Sequence, residues 1–296
     1  MILCTNGNAL EVITQKPSIQ HLRPDMDDPA SPANSPDPAQ VRAAAIAMAK
    51  AATPLALSYF RKGLCIETKA DDSPVTQADR VVEEKLRSLI AAGFPGDGIL
   101  GEEFGETGGT GGGLWIIDPI DGTINFANGI PICCVSIGVE VDGEMLMGAV
   151  FNPFMNELFF AEKGKGASLN EKPIKVSDKD NLLTSCLVTG FPYQYLDAAN
   201  GPLEIFEKLI RKSIPVRRLG SAALDLCWTA AGRFDGFYEH KLQPWDSAAG
   251  FLMVEEAGGK VTDLHGNAYN PYQPGIIATN GFIHEQLLSV VNGGSL

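Results

Sequence analysis

Hydrophobic residues recur with a helical period in the first third of the chain. A helix is predicted to begin at Asp37, as its N-cap, with Pro38 at the first helical position, and to end near Gly63. A second helix is predicted directly after Asp79, because apolar residues recur every three or four positions until Gly93. Both helices therefore have one apolar face to bury.

The period changes to two from Ile132, which predicts β-strands. Alternate residues from Val135 to Val141 are apolar, Asp142-Gly143 is a strong hairpin signal, and Met145 to Val150 supplies the partner strand. Beyond residue 180, strands alternate with helices; the predicted strands are Ser185–Thr189, Phe234–Glu239 and Ile276–Ala278, and the predicted helices are Leu203–Lys212, Ser221–Gly232 and Ala248–Glu256.

This succession predicts an α+β half over about residues 39–180 and an α/β half over about 181–296, together forming one catalytic domain. Residues 1–38 have a different character, since Pro29 to Pro38 is a mixture of Pro, Ala, Ser and Asp with almost nothing to bury. We expect residues 1–38 to be a disordered tail.

Composition narrows the class of protein. The 296 residues are 45% hydrophobic and 20% charged, which is typical of a soluble globular chain, and the net charge of −13 argues against a nucleic-acid-binding or anionic-membrane surface. No apolar run approaches the roughly eighteen residues of a membrane span, and the N-terminus lacks the pattern of a signal peptide. The six cysteines lack zinc spacing and are expected to be buried, reduced thiols, which suits the cytoplasm.

The most informative segment lies at the end of a predicted buried strand. The apolar run Trp115 to Ile117 gives way to Asp118, and Pro119 and Gly122 are expected to stop the strand. Asp121 lies between these two residues. Two fixed carboxylates and a neighbouring hydroxyl suit a hard divalent cation such as Mg²⁺. The same Asp-Pro-x-Asp-Gly pattern is also good turn chemistry, so on its own it leaves both interpretations open.

Three further acidic segments accompany this one. They are Gly101-Glu102-Glu103, the stretch from Lys69 to Asp79 that includes Thr76, and Pro244-Trp245-Asp246 before a predicted helix. The four segments, in their order along the chain, resemble those of the inositol monophosphatase family of Mg²⁺-dependent phosphomonoesterases. The resemblance covers roughly Val41 to Leu288. The resemblance implies a layered α-β-α-β-α sandwich with the active site between the two halves, and a homodimer.

The resemblance also implies a ligand set for two or three Mg²⁺ ions, one of them displaceable by lithium. Metal ligands would be the side chains of Glu102, Asp118, Asp121 and Asp246 and the backbone carbonyl of Ile120. Catalytic roles are implied for Asp79, Glu102, Asp118 and Thr123, with Asp79 and Thr123 orienting the attacking water. Such a site would need no Ser, Cys or His nucleophile, and the four histidines are expected at the surface or in hairpins.

For substrate recognition, the resemblance points to Glu239, which lies seven residues before Asp246. A carboxylate suits a polyol because it can accept hydrogen bonds from two hydroxyl groups. The complete set of implied substrate-binding residues is Gly122, Thr123, Gly220, Ser221, Glu239 and Asp246. Lys69 is either a water or phosphate contact or a solvated lysine. Glu103 is expected to support the metal ligands, with a surface role as the alternative.

The sequence therefore predicts an enzyme, a phosphoric monoester hydrolase acting most naturally on myo-inositol 1-phosphate. Histidinol phosphate, fructose 1,6-bisphosphate and nucleotide phosphates stay open as substrates, because the stretch from Glu67 to Arg80 looks more like histidinol-phosphate phosphatases. A regulatory binding protein that kept the fold is the alternative from another class. The loop Gly108–Gly113 is either a linker or a mobile lid beside the metals.

Overall fold

The computed structural model of the protein describes residues 37–69, 72–192 and 201–294. The predicted disordered tail lies outside this part, apart from its last two residues. In the described part of the chain, no helix is both long enough and apolar enough to cross a membrane.

The two predicted N-terminal helices are present. Helix α1 (Pro38–Tyr59) is capped by Asp37, whose carboxylate accepts a hydrogen bond from the backbone N–H of Ala39 at 3.1 Å. It ends before Gly63, earlier than predicted, and tolerates Pro54 in its interior. Helix α2 (Gln77–Gly93) begins two residues before Asp79 rather than after it, so that Asp79 lies in its first turn.

An eight-stranded sheet forms the first half. Its order is β10-β9-β8-β7-β6-β5-β3-β4, antiparallel except between β3 and β5. A two-stranded hairpin, β1 with β2, precedes it, and a short helix, α3, follows β5. The bounds are β1 (Glu67–Thr68), β2 (Pro74–Val75), β3 (Gly98–Gly101), β4 (Gly105–Thr107), β5 (Gly113–Asp121), α3 (Thr123–Ala127), β6 (Cys134–Val141), β7 (Glu144–Asn152), β8 (Glu157–Glu162), β9 (Gly166–Leu169) and β10 (Lys172–Pro173).

The predicted hairpin between β6 and β7 is confirmed. Asp142 and Gly143 both have positive φ, 51° and 83°, as a two-residue type I′ connection requires.

A five-stranded sheet of order β12-β11-β13-β15-β14 forms the second half, with β11 parallel to both of its neighbours. The bounds are β11 (Leu187–Thr189), α4 (Pro202–Arg211), β12 (Val216–Arg217), α5 (Ala222–Ala230), β13 (Gly236–His240), α6 (Pro244–Glu256), β14 (Lys260–Thr262), β15 (Gly275–Thr279) and α7 (His284–Val291).

Three hydrophobic clusters hold five layers together. Helices α1 and α2 pack on one face of the large sheet, α5 and α6 fill the space between the two sheets, and α4 and α7 cover the outer face of the small sheet. Cys133 and Cys134 belong to the clusters on opposite faces of the large sheet, as adjacent strand residues must. Burying a side chain such as that of Ile117, which is fully buried, stabilises the fold by about 1.5–3 kcal/mol. The predicted α-β-α-β-α sandwich is confirmed.

Three local expectations were wrong. Pro119 does not stop β5; the strand continues to Asp121 through a bulge, the place in a sheet where proline is tolerated. His284 is fully buried rather than exposed, because its two ring nitrogens are hydrogen-bonded to Thr262 and Thr279 at 3.0 Å each. Cys65 is exposed rather than buried.

The loop Gly108–Gly113 is packed against the turn that follows α2. The N–H groups of Thr110 and Gly111 donate to the carbonyl of Gly96 at 2.9 and 2.6 Å. This contact lies where β5 begins, whereas Asp118 and Asp121 lie where it ends. The loop is therefore at the far end of the strand from the acidic residues, and the lid interpretation was wrong.

Candidate metal and substrate site

Strand register brings Glu102 beside Asp118. Strands β3 and β5 run parallel, and Gly101 is paired with Ile117. The next residue on each strand is a carboxylate, so both side chains leave the same end of the sheet. The N–H of Glu102 also donates to the carbonyl of Ile117, at 3.3 Å. This bond fixes the position of Glu102 along the strand direction relative to Asp118.

The bulge in β5 sets the position of Asp121. Three steps along β5, from Asp118 to Asp121, match only two steps along β6. Asp121 Oδ2 then accepts hydrogen bonds from Ser221 Oγ at 2.5 Å and from Ala223 N at 2.9 Å, both at the start of α5. Asp121 thus joins the large sheet to the second half of the molecule. The Cys134 Sγ also lies 3.7 Å from Asp121 Oδ2.

Asp118 and Asp246 are each held by one oxygen. Asp118 is 2% exposed, and its Oδ1 accepts from the N–H of Ile120 at 2.9 Å. Helix α6 begins at Pro244, earlier than predicted, which places Asp246 in its first turn. Asp246 Oδ2 accepts from the N–H of Gln243 at 2.7 Å, in a capping box. These bonds fix the orientation of both carboxylates.

A second capping box holds Asp79. Its Oδ2 accepts from both the N–H and the hydroxyl of Thr76, at 2.9 and 2.6 Å, and its Oδ1 lies 3.1 Å from the hydroxyl of Thr123. The Thr123 hydroxyl is also 3.3 Å from the carbonyl oxygen of Ile120. Asp79 is fully buried and Thr123 nearly so. A buried carboxylate thus orients the hydroxyl at the start of α3.

Gly122 allows the chain to turn sharply between Asp121 and Thr123. Its φ is 92°, in the left-handed region that favours glycine, and a Cβ at this position would lie 2.8 Å from the carbonyl oxygen of Ile132 and 3.1 Å from that of Gly220. Gly220 is exposed, and Ser221 is buried at the start of α5. The structure therefore places Gly122, Gly220 and Ser221 together.

Lys69 is not a solvated surface lysine, and its contact with water or phosphate stays a prediction. Its Nζ donates to Glu102 Oε1 at 2.7 Å and to Glu103 Oε1 at 2.6 Å. Burial lowers the pKa of Lys69, but the two carboxylates outweigh that effect and the net change is a rise. The ammonium therefore stays charged and balances part of the negative charge of the site.

The remaining carboxylates carry more negative charge than their surroundings neutralise. Burial raises the pKa of Asp118 well above its usual range, and the charges of Glu102, Asp121 and Asp246 raise it further. Burial likewise raises the pKa of Glu102 to about 8, although Lys69 opposes the rise. Burial also raises the pKa values of Asp121 and Asp79. Without a cation, the burial and mutual repulsion of these carboxylates are therefore electrostatically unfavourable.

This arrangement fits a hard divalent cation. Glu102, Asp118, Asp121 and Asp246 each give one oxygen to an anchoring contact, and the donors available to an ion are all oxygens. In residues 37–69, 72–192 and 201–294, no three acidic, histidine or cysteine side chains are so placed that they could hold a metal ion without moving. The anchored oxygens hold the carboxylates in place, and an ion would have to draw the others together.

Glu239 lies on the second sheet, at the end of β13, with its carboxylate against the backbone of Gly190. A Cβ at Gly190 would overlap that carboxylate, so the missing side chain makes its space. Burial raises the pKa of Glu239 well above its usual range, and the charge of Asp246 raises it further while Arg218 opposes it. Glu239 therefore lies close enough to Asp246, in the same half of the molecule, and to Asp121, in the other half, to feel the charges of both.

Sequence reasoning missed several residues of this site. Glu83 is a fully buried carboxylate one helical turn beyond Asp79, and Asp225 on α5 is 1% exposed with an Oδ1 that has no hydrogen-bond partner among the described residues. Thr76 was named only as part of the segment from Lys69 to Asp79 and was given no role of its own. A charged residue on the apolar face of a predicted helix is the signal that could have found Glu83 and Asp225.

Comparisons with known proteins identify the family of the chain. The model of the inositol monophosphatase family matches residues 37–294, nearly all of the described chain. The chain is 42% identical over 218 residues to the inositol-1-monophosphatase of Caulobacter vibrioides, covering 72% of this chain and 85% of that protein. It is 40% identical over 219 residues to a protein of Pasteurella multocida named Nus factor SuhB, covering 73% of this chain and 82% of that protein.

Solved structures resemble the protein as well. The structure of inositol monophosphatase from Anabaena superposes with a TM-score of 0.77 at 38% identity, covering 86% of this chain and 96% of that one. An inositol monophosphatase structure from Thermotoga maritima gives a TM-score of 0.76 at 35% identity, with 83% and 94% coverage. The fold therefore has counterparts of known structure that cover 83% to 86% of the chain.

Proposed function

The chain belongs to the inositol monophosphatase family and is thus a phosphatase, and from this premise we propose that it hydrolyses myo-inositol 1-phosphate with the help of Mg²⁺. The observation that carries the proposal is the group of anchored, mutually repelling carboxylates. Glu102, Asp118, Asp121 and Asp246 come from β3, β5 and α6 and influence one another's ionisation. Two or three Mg²⁺ ions would relieve this repulsion, held by these side chains and by the carbonyl of Ile120.

The bound ions would activate the attacking water and stabilise the developing charge on the phosphate and the leaving oxygen. The protein's own part is to orient that water. The hydroxyl of Thr123 donates to buried Asp79, so its oxygen is left to accept a hydrogen bond from water. Gly122 and the start of α5, at Ser221, would border the phosphate.

Glu239 is proposed to select the alcohol portion of the substrate. In the described part of the chain it accepts no hydrogen bond, so its oxygens are available to hydroxyl donors. Burial and neighbouring carboxylates favour its protonated form, and each hydroxyl donated by a polyol would instead stabilise the charged form. A substrate with several adjacent hydroxyls suits this environment better than a simple alkyl phosphate does.

A regulatory function is a second candidate, because the Pasteurella multocida relative is named a Nus factor. The two functions are compatible in one protein. A purely non-catalytic protein, however, would have no need for an anchored set of repelling carboxylates. We therefore place hydrolysis first.

The test is phosphate release from a panel of substrates at equal concentration, with and without Mg²⁺. The panel contains myo-inositol 1-phosphate, histidinol phosphate, fructose 1,6-bisphosphate and glycerol 2-phosphate. We expect Mg²⁺-dependent hydrolysis with the highest kcat/KM for inositol 1-phosphate. A higher value for histidinol phosphate would overturn the substrate assignment, and absence of Mg²⁺-dependent release from every member would overturn the proposed function.

A further inference from the structure

A buried carboxylate outside the proposed ligand set controls the turn that carries Glu102. Glu83 lies on α2, four residues after Asp79 and four before Arg87, so all three lie along one face of the helix. Its side chain is fully buried although it is neither a proposed ligand nor part of the water-orienting pair. Burying a charge is costly unless the charge is paired and hydrogen-bonded, so the partners of Glu83 indicate its role.

The partners of Glu83 are the two residues that directly follow Glu102. Glu83 Oε2 accepts from the N–H of Glu103 at 2.7 Å, and Oε1 accepts from the N–H of Phe104 at 3.2 Å. Gly101, on the other side of Glu102, has no side chain, and a Cβ there would overlap the Glu83 carboxylate. The carboxylate therefore fills the inside of the turn.

Arg87 completes the arrangement. Its Nε donates to Glu83 Oε1 at 2.8 Å, its Nη1 donates to Thr107 Oγ1 at 3.0 Å, and its Nη2 donates to the carbonyl of Gly105. The arginine thus supplies the positive charge that Glu83 needs and also holds β4, the strand into which the turn leads. Three N–H donors converge on the two oxygens of Glu83.

We propose that Glu83, held by Arg87, is a positioning residue for the metal site. It fixes the turn that carries Glu102, so that the Glu102 carboxylate can bind a divalent cation although Lys69 also attracts it. The inference rests on the proposed function. The backbone of Glu102 is held on one side by the carbonyl of Ile117 and on the other by Glu83. An amide cannot replace this carboxylate, because its NH₂ group would face one of the three donors.

The experiment measures divalent-cation affinity in Glu83→Gln by titration calorimetry with Mg²⁺ alone and by the Mg²⁺ concentration that half-saturates hydrolysis. Residues that orient metal ligands typically change metal affinity by about 10- to 100-fold when replaced. We expect a loss of that size, with kcat at saturating Mg²⁺ within about threefold of the unmodified protein. The Mg²⁺-induced rise in Tm should shrink as well, a change that a purely structural role would not produce.

The matched control is Glu84→Gln, the same change on the exposed neighbouring residue of α2, which should leave Mg²⁺ affinity unaltered. If Glu83→Gln fails to fold, Arg87→Gln is measured by the same criteria, and misfolding of both would overturn the positioning role in favour of a folding role. Unchanged Mg²⁺ affinity in a folded Glu83→Gln protein would also overturn it. Absence of Mg²⁺ binding by the unmodified protein would instead overturn the proposed function.

Discussion

Both halves of the molecule bring buried carboxylates to the site, but they hold them differently. On the large sheet, Asp118 and Asp121 accept hydrogen bonds from backbone and side-chain donors, and Glu102 is paired with Lys69. In the second half, Glu239 on the small sheet accepts no hydrogen bond among the described residues, and Asp225 Oδ1 on α5 is buried without a partner among them. The carboxylates of the large sheet are thus held in position before anything binds. Glu239 and Asp225 Oδ1, by contrast, have no hydrogen-bond donor among the described residues.

This difference fits two tasks. A cation is bound strongly by oxygens whose positions are already fixed, because little conformational entropy is then lost on binding. A polyol brings its own hydroxyl donors, so a carboxylate that recognises it must not be occupied by protein donors. The first group should therefore determine whether the reaction occurs, and the second should determine on which substrate.

The largest effect is expected from Asp118→Asn. The charges of Glu102, Asp121, Asp246 and Asp79 all act on Asp118, and the amide preserves its shape while removing the charge that attracts cations. We expect kcat/KM to fall at least about a hundredfold, about 2.7 kcal/mol in barrier terms. The Tm of the metal-free protein should not fall, because a repulsive charge has been removed.

The control is Asp142→Asn, at the exposed hairpin turn between β6 and β7, where asparagine tolerates the positive φ. It should leave both activity and Tm unaltered. Retention of a tenth or more of the activity in Asp118→Asn at saturating Mg²⁺ would contradict a central role for Asp118 in cation binding.

A smaller and selective effect is expected from Glu239→Gln. The amide accepts through one oxygen only and presents donors to the substrate hydroxyls. We expect kcat/KM for inositol 1-phosphate to fall about 10- to 100-fold, since a charged hydrogen bond contributes roughly 1.5–3 kcal/mol. Hydrolysis of glycerol 2-phosphate should change little, and the exposed Glu144→Gln is the matched control. Equal losses on both substrates would make Glu239 a structural residue instead.

The parts of the account that sequence could supply are those with a local signal. Alternation from Val135 to Val141 and the Asp142-Gly143 turn defined a hairpin that the structure confirms. The apolar run before Asp118 likewise located β5. Local patterns report burial and turn geometry directly, so these predictions did not depend on distant parts of the chain.

The parts that sequence could not supply depend on pairing between segments far apart. The bulge that carries Pro119 exists because β6 pairs on both sides of it. The burial of His284, on α7, depends on hydrogen bonds to Thr262 and Thr279, which lie on two strands of the small sheet. Glu83 looked like an ordinary polar helix residue because its partners, Glu103 and Phe104, lie about twenty positions away in the sequence.

The central claim is that the carboxylate cluster is a cation site, and thermal unfolding across pH with and without Mg²⁺ tests it most directly. Because the folded-state pKa of Glu102 is raised to about 8, above the usual value near 4.3, the protonated form is favoured in the folded protein. Its contribution to stability is therefore present at low pH and is lost as pH rises toward 8.

The metal-free protein should accordingly lose roughly 5 °C or more in Tm between pH 5 and pH 9, and saturating Mg²⁺ should restore most of that loss by binding the charged carboxylates. Asp118→Asn should show a weaker dependence on both pH and Mg²⁺. A Tm at pH 9 that is the same with and without Mg²⁺ would contradict the claim that these carboxylates bind a divalent cation.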